Sequence, residues 1–253
     1  VPKQGSRRPE KPDERTQRRA RGKATHQRCR NRSSWRWCPT SCDPGASSGS
    51  ACASKPHSLA SDSRSLAPRL QKRNLEIARG QTQHKVEIRW LPFFLRPHMP
   101  PEGVPKQGKG AENVNPRLRA AGEAVGINFT GACDRAPNST EAHALLAYAA
   151  KVSPDKQNAL QEVLFRHYFT DGLYPAGANL AAAATEAGLD GAAAQAFAED
   201  PTNKAEVAEE ARRNAMRGVS GVPFFRVNGV DACSGAQPPA LLLEMINEAA
   251  AGA

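Results

Sequence analysis

No apolar run in this chain approaches the roughly 18 residues that a membrane-spanning helix needs, so a membrane span is excluded. The basic, proline-rich start is not followed by an apolar segment either, so no secretory signal is visible and a cytoplasmic location is predicted. The chain opens on Val1, so an authentic start further upstream is expected. No Cys-x-x-Cys pair occurs anywhere. Cys29, Cys38, Cys42 and Cys52 stand 9, 4 and 10 residues apart, which gives no zinc-ligand spacing, and no metal is expected. His98, His143 and His167 lie on separate segments and form no ligand set. Acidic residues are scarce at one end only: residues 1–80 hold 19 Lys+Arg against 6 Asp+Glu, and residues 81–253 hold 16 against 19. The net charge of +10 therefore belongs to the first third, and a nucleic-acid partner is not expected for the rest.

Two textures follow from this. Residues 1–85 are rich in Arg, Ser, Pro and Lys and show no sustained apolar period. Burial on that scale cannot offset an ordering cost of about 1–2 kcal/mol per residue. They are assigned to a basic low-complexity segment, disordered or mistranslated, and residues 86–253 to a folded α/β domain. Val86-Glu87-Ile88-Arg89-Trp90-Leu91 alternates apolar and polar side chains and predicts a strand. Pro92, Pro97, Pro100 and Pro101 then mark a loop.

A helical block comes next, predicted over 116–125, 140–150, 155–168, 179–187, 191–198 and 204–217, with Gly126, Gly188 and Gly218 as stops. The strand Pro223–Val227 and its partner Val230–Ser234 flank Asn228-Gly229, a strong hairpin signal, and Pro238-Pro239 open a last helix. Strand, helical block, hairpin and helix, in that order, fit a small sheet interrupted by a helical insertion between about Asn115 and Arg217.

Five motifs in order carry a resemblance. They are Val86 to Leu95; Asn138-Ser139 with Ala142-His143 and Leu145; Leu164 to Gly172; Gly218 to Phe225; and Ser234-Gly235-Ala236-Gln237-Pro238-Pro239. Together they resemble the DsbA-like thioredoxin-fold family of the FrnE type. The resemblance implies a thioredoxin-like fold with a helical insertion and a cis bond at Val222-Pro223. It also implies a loop, Gly221, Val222 and Pro223, that presents its backbone to an extended substrate and lies against the active-site sulfurs. Substrates would be protein or small-molecule thiols and disulfides, with no cofactor.

The family's Cys-Pro-Trp-Cys motif should fall before Val86, and no such motif stands there. The first strand and active-site helix are therefore expected to be missing, and no catalytic residue is assigned. Cys133 is expected to pack or stay free in a loop, and Cys233 to serve the core. Asn128-Phe129-Thr130 and Asn138-Ser139-Thr140 fit glycosylation sequons, but without a signal no modification is expected.

The codons of Trp37 to Ala51 hold a second message. Begun one nucleotide earlier, those of Pro44 to Ala51 can read Pro-Trp-Cys-Phe-Val-Gly-Lys-Arg. That is the family's active-site stretch without its first cysteine. At Asp43 the displaced frame gives arginine or a stop. Val1-Pro2-Lys3-Gln4-Gly5 also recurs as Val104-Pro105-Lys106-Gln107-Gly108. Both features predict that much of 1–80 is an out-of-frame or mis-spliced translation.

The leading function is a thiol–disulfide oxidoreductase, inactive as written. One alternative is a glutathione-dependent relative of kappa-class transferases and 2-hydroxychromene-2-carboxylate isomerases. Another is a non-catalytic peptide-binding homologue with a basic nucleic-acid-binding tail.

Overall fold

The computed structural model describes residues 61–108 and 110–252, with side chains from Pro68 onward apart from Asn113. The expectations for residues 1–60 fall outside them.

Helix α1 runs Ser61–Gln81. The assignment of 1–85 to one unpacked segment is therefore corrected: its last twenty or so residues fold. A helix also occupies the place ahead of Val86 that was expected to stand empty. Sequence periodicity missed it because its buried stripe is polar. Arg69, Gln71 and Lys72 are buried there beside Ala78. The side chain of Lys72 has no exposed surface and pairs with Glu76 and, at 3.1 Å, with Glu162. Arg69 donates to Thr170 at 2.5 Å and lies 3.6 Å from Glu162. An apolar-moment argument counts such positions as surface, whereas carboxylates on a facing helix make them interior.

Residues 86–91 are extended and keep the burial alternation of a strand: 86, 88 and 90 are half-buried, 87, 89 and 91 exposed. They join no ladder among the described residues, so the expected strand is not formed. Sequential parallel strands joined by a helical crossover lie side by side, so the neighbour of 86–91 would have to come from ahead of α1. Instead, one side chain takes the part of a strand. Gln157 Oε1 accepts from the Trp90 N–H at 3.0 Å, and Gln157 Nε2 donates to the Trp90 carbonyl at 3.1 Å.

Two short ladders exist among the described residues. Strand β1 (Val104–Pro105) pairs antiparallel with β2 (Arg135–Ala136). Strand β3 (Phe224–Val227) pairs antiparallel with β4 (Val230–Ser234), with a register shift between Phe225 and Arg226. Asn228 at φ 50° and Gly229 at φ 81° close the hairpin, as the Asn-Gly pair requires.

The helical block is close to expectation: α2 (Pro116–Glu123), α3 (Thr140–Val152), α4 (Gln157–Arg166), α5 (Ala178–Glu186), α6 (Gly191–Glu199) and α7 (Pro201–Met216). Helix α4 stops short of the predicted Tyr168 because His167–Asp171 widen into a π turn closed by Gly172 at φ 78°. Helix α7 starts three residues early: Asp200 caps it, accepting from the N–H groups of Thr202 and Asn203, with Pro201 at its first position.

Leu145, Leu146, Leu160, Leu164, Leu180 and Val207 fill the core of this block. A second core gathers Val114, Ile127, Phe129, Cys133, Tyr168 and Phe169 beneath β1 and β2. Helix α8 (Pro239–Ala251) buries Leu242 and packs against α1. None of the described helices is long and apolar enough to cross a membrane.

Candidate functional site: the proline loop and the head of α1

Helix α7 ends at Met216, and Gly218 at φ 97° turns the chain into the loop 219–223. Val219 is buried and anchors that loop, and its N–H donates to the Asn214 carbonyl. The Asn214 side chain in turn donates to the Pro92 carbonyl at 2.9 Å, so the loop is tied to the end of the extended segment 86–91. The Val222-Pro223 peptide bond is cis. Gly221, Val222 and Pro223 are each half-buried, and a side chain added at Gly221 would meet nothing within 4 Å. Gly221 therefore borders open space.

The Ser-Gly-Ala-Gln stretch locks onto this loop and onto α1. Gly235, at φ 83°, donates its N–H to the Pro223 carbonyl at 2.8 Å. Gln237 accepts at its carbonyl from Asn74 Nδ2 at 2.9 Å and donates its N–H to Gln71 Oε1 at 2.7 Å. Its own Nε2 donates to the Ser234 carbonyl at 3.1 Å. A continuous run of hydrogen bonds thus links α1, the Gln237 turn and the proline loop. Sequence reasoning picked out both loops but missed Gln71 and Asn74, which lay in the segment taken for tail.

The two described sulfurs are elsewhere. Cys133 is buried in the second core, with its Sγ 3.5 Å from the Arg135 carbonyl. Cys233 sits half-buried in β4, and burial pushes its thiol pKa up, the wrong direction for a nucleophile. Both are free, and neither is partnered for exchange.

A cleft of about 450 Å³ opens between α1 and α4, lined by Lys72, Glu76, Asn158, Glu162 and Arg166. Lys72 pairs there with Glu76 and Glu162, and no residue of the proline loop lines the cleft. Among the described residues no group of three His, Cys, Asp or Glu side chains is placed to hold a metal.

None of the curated protein sequences matches this chain. Its structure is similar to that of a probable DsbA oxidoreductase from Streptomyces coelicolor, with a TM-score of 0.63 and 24% identity over 76% of this chain and 88% of the other. It is also similar to a 2-hydroxychromene-2-carboxylate isomerase, with a TM-score of 0.51 and 19% identity over 74% of this chain and 90% of the other. At these identities the likeness establishes the fold. The profile of the DSBA-like thioredoxin domain matches residues 68–247, most of the chain. Its match begins inside α1, where the polar buried stripe begins, and on that match the chain belongs to the DSBA-like thioredoxin domain family.

Proposed function

We propose that this chain carries the substrate-binding half of a thiol–disulfide oxidoreductase and, as written, lacks the sulfur pair that performs exchange. The carrying observation is the coupled loop pair. Cis Pro223, with free space beside Gly221, is held by the Gly235 N–H, and Gln237 is held by α1. Gly221 and Val222, next to Pro223 whose carbonyl is taken by the Gly235 N–H, offer the backbone groups along which an extended peptide pairs as an added strand. Protein or small-molecule disulfides are the substrate class, and no cofactor is required. A glutathione-dependent isomerase reading shares the fold, but among the described residues nothing near Pro223 distinguishes a tripeptide thiol from a longer peptide.

Exchange needs a thiolate at a helix start and a second thiol to resolve the mixed disulfide. Neither Cys133 nor Cys233 occupies such a place. The purified chain should therefore reduce insulin disulfides no faster than free cysteine at equal thiol concentration. Family-like turnover by this chain would overturn the assignment of the missing pair.

A further inference from the structure

Residues 86–91 are an extended ribbon without a ladder partner among the described residues. Successive residues of such a ribbon turn their N–H and C=O groups to opposite sides. Val86, Ile88 and Trp90 share one flank, and there Gln157 holds both backbone groups of Trp90. Glu87, Arg89 and Leu91 share the other flank, and among the described residues their backbone groups make no hydrogen bond. The side chains of that second set are also the exposed ones. Glu87 is 64% exposed and Arg89 77%, and they bridge to each other at 2.7 Å. An ion pair so open to water contributes little, so its members change partners at small cost.

Charges on a strand edge commonly act as guards, because copies that present the same sign repel one another. Glu87 and Arg89 do not act in that way: they carry opposite signs two positions apart on one face. A ribbon of that kind is complementary to itself. The free flank admits antiparallel registers in which 87, 89 and 91 take the hydrogen-bonded positions. With a two-fold axis at Ile88, Glu87 stands opposite the partner's Arg89, and Arg89 opposite the partner's Glu87. Val86 then meets the partner's Trp90 on the half-buried face, a β-branched residue against an aromatic ring, which is a favourable cross-strand pair. Moving the axis to Arg89 sets two arginines directly opposite, which is unfavourable. Moving it to Trp90 leaves both charges without an opposite charge across the strand.

We propose that two copies of this chain join by antiparallel pairing of residues 86–91 about a two-fold axis at Ile88, with Glu87 of each copy bridged to Arg89 of the other. Each Glu87–Arg89 pair across the axis exchanges both of its backbone N–H···O bonds. The Gln157 bracket lies on the opposite flank and stays intact. The interface presents the same patch on both copies, so it closes at two. A ribbon this short is a small interface, and the dimer is therefore weak and forms as concentration rises. The pairing uses no sulfur and is independent of the oxidoreductase reading.

The test is a charge exchange on the full chain, followed by sedimentation velocity at rising concentration. By symmetry, Glu87→Arg alone sets like charges opposite in both cross-strand pairs, and Arg89→Glu alone does the same with the other sign. Each single variant should dimerise roughly tenfold or more weakly than the unaltered chain. An equimolar mixture of the two should recover the original strength, because each variant complements the other. The combined change, Glu87→Arg with Arg89→Glu in one chain, reverses both signs and should dimerise as the unaltered chain does. Both side chains are exposed, so circular dichroism and Tm should be unchanged in every variant. If one single variant loses its fold, the combined change set against the other single variant carries the same comparison. An unaltered chain that stays monomeric overturns the proposal. So does a mixture, or a combined change, that stays weak. Association that ignores these charges runs through a different edge, and it too overturns the proposal.

Discussion

Lys72 is an ammonium with no exposed surface, held by two half-buried carboxylates. Removing one member of such a set leaves the others uncompensated. Lys72→Ala should cost about 3 kcal/mol in urea unfolding, and Lys72→Met, which keeps the volume, clearly less. His143 is a second sensitive group. It packs on Phe94 at 5.5 Å, and burial pushes its pKa down to about 4, with a hydrogen bond to the Phe93 backbone opposing the shift. A folded pKa below the unfolded value of about 6.5 means that the unfolded chain binds the proton more tightly. Stability is therefore unaffected above about pH 6.5, falls as pH drops toward 4, and levels off below, by up to about 3 kcal/mol. Melting curves between pH 7.5 and 4.5 should show this decline, and His143→Leu should flatten that part of it. His143 was legible in the sequence as a helix residue, but its depressed pKa was not, because Phe94 reaches it from a different element.

At the scale of elements, what the sequence shows depends on who the partner is. Helices α3, α5, α6 and the Asn228-Gly229 hairpin bury their own apolar residues or close on local turn chemistry, so spacing sufficed. Helix α1 buries Arg69, Gln71 and Lys72 against partners some 90 to 166 residues away, and nothing local signals that. The segment 86–91 has a strand's alternation, but ladder pairing is a property of two segments, and only one is among the described residues. One experiment addresses these elements. Gln157→Leu strips both backbone partners from Trp90 and should cost about 2 kcal/mol, read as a lower urea midpoint.

For the whole molecule, the described part behaves as a sheet protein with too few strands. The helical insertion, α1, α8 and the proline loop are in place, while the extended segment and the β3–β4 hairpin each keep an unpaired edge among the described residues. Open edges invite association. The chain as written should elute as concentration-dependent oligomers in size-exclusion chromatography. The Gln157 bracket on Trp90 bears on how such association proceeds. Along an extended chain, successive residues turn their N–H and C=O groups to opposite sides. Gln157 thus bars one side at the middle of 86–91, and a foreign strand cannot zip past Trp90 there without first breaking two hydrogen bonds. The backbone groups of Arg89 and Leu91 face the other way and stay unbarred, so a foreign strand can pair along that flank alone.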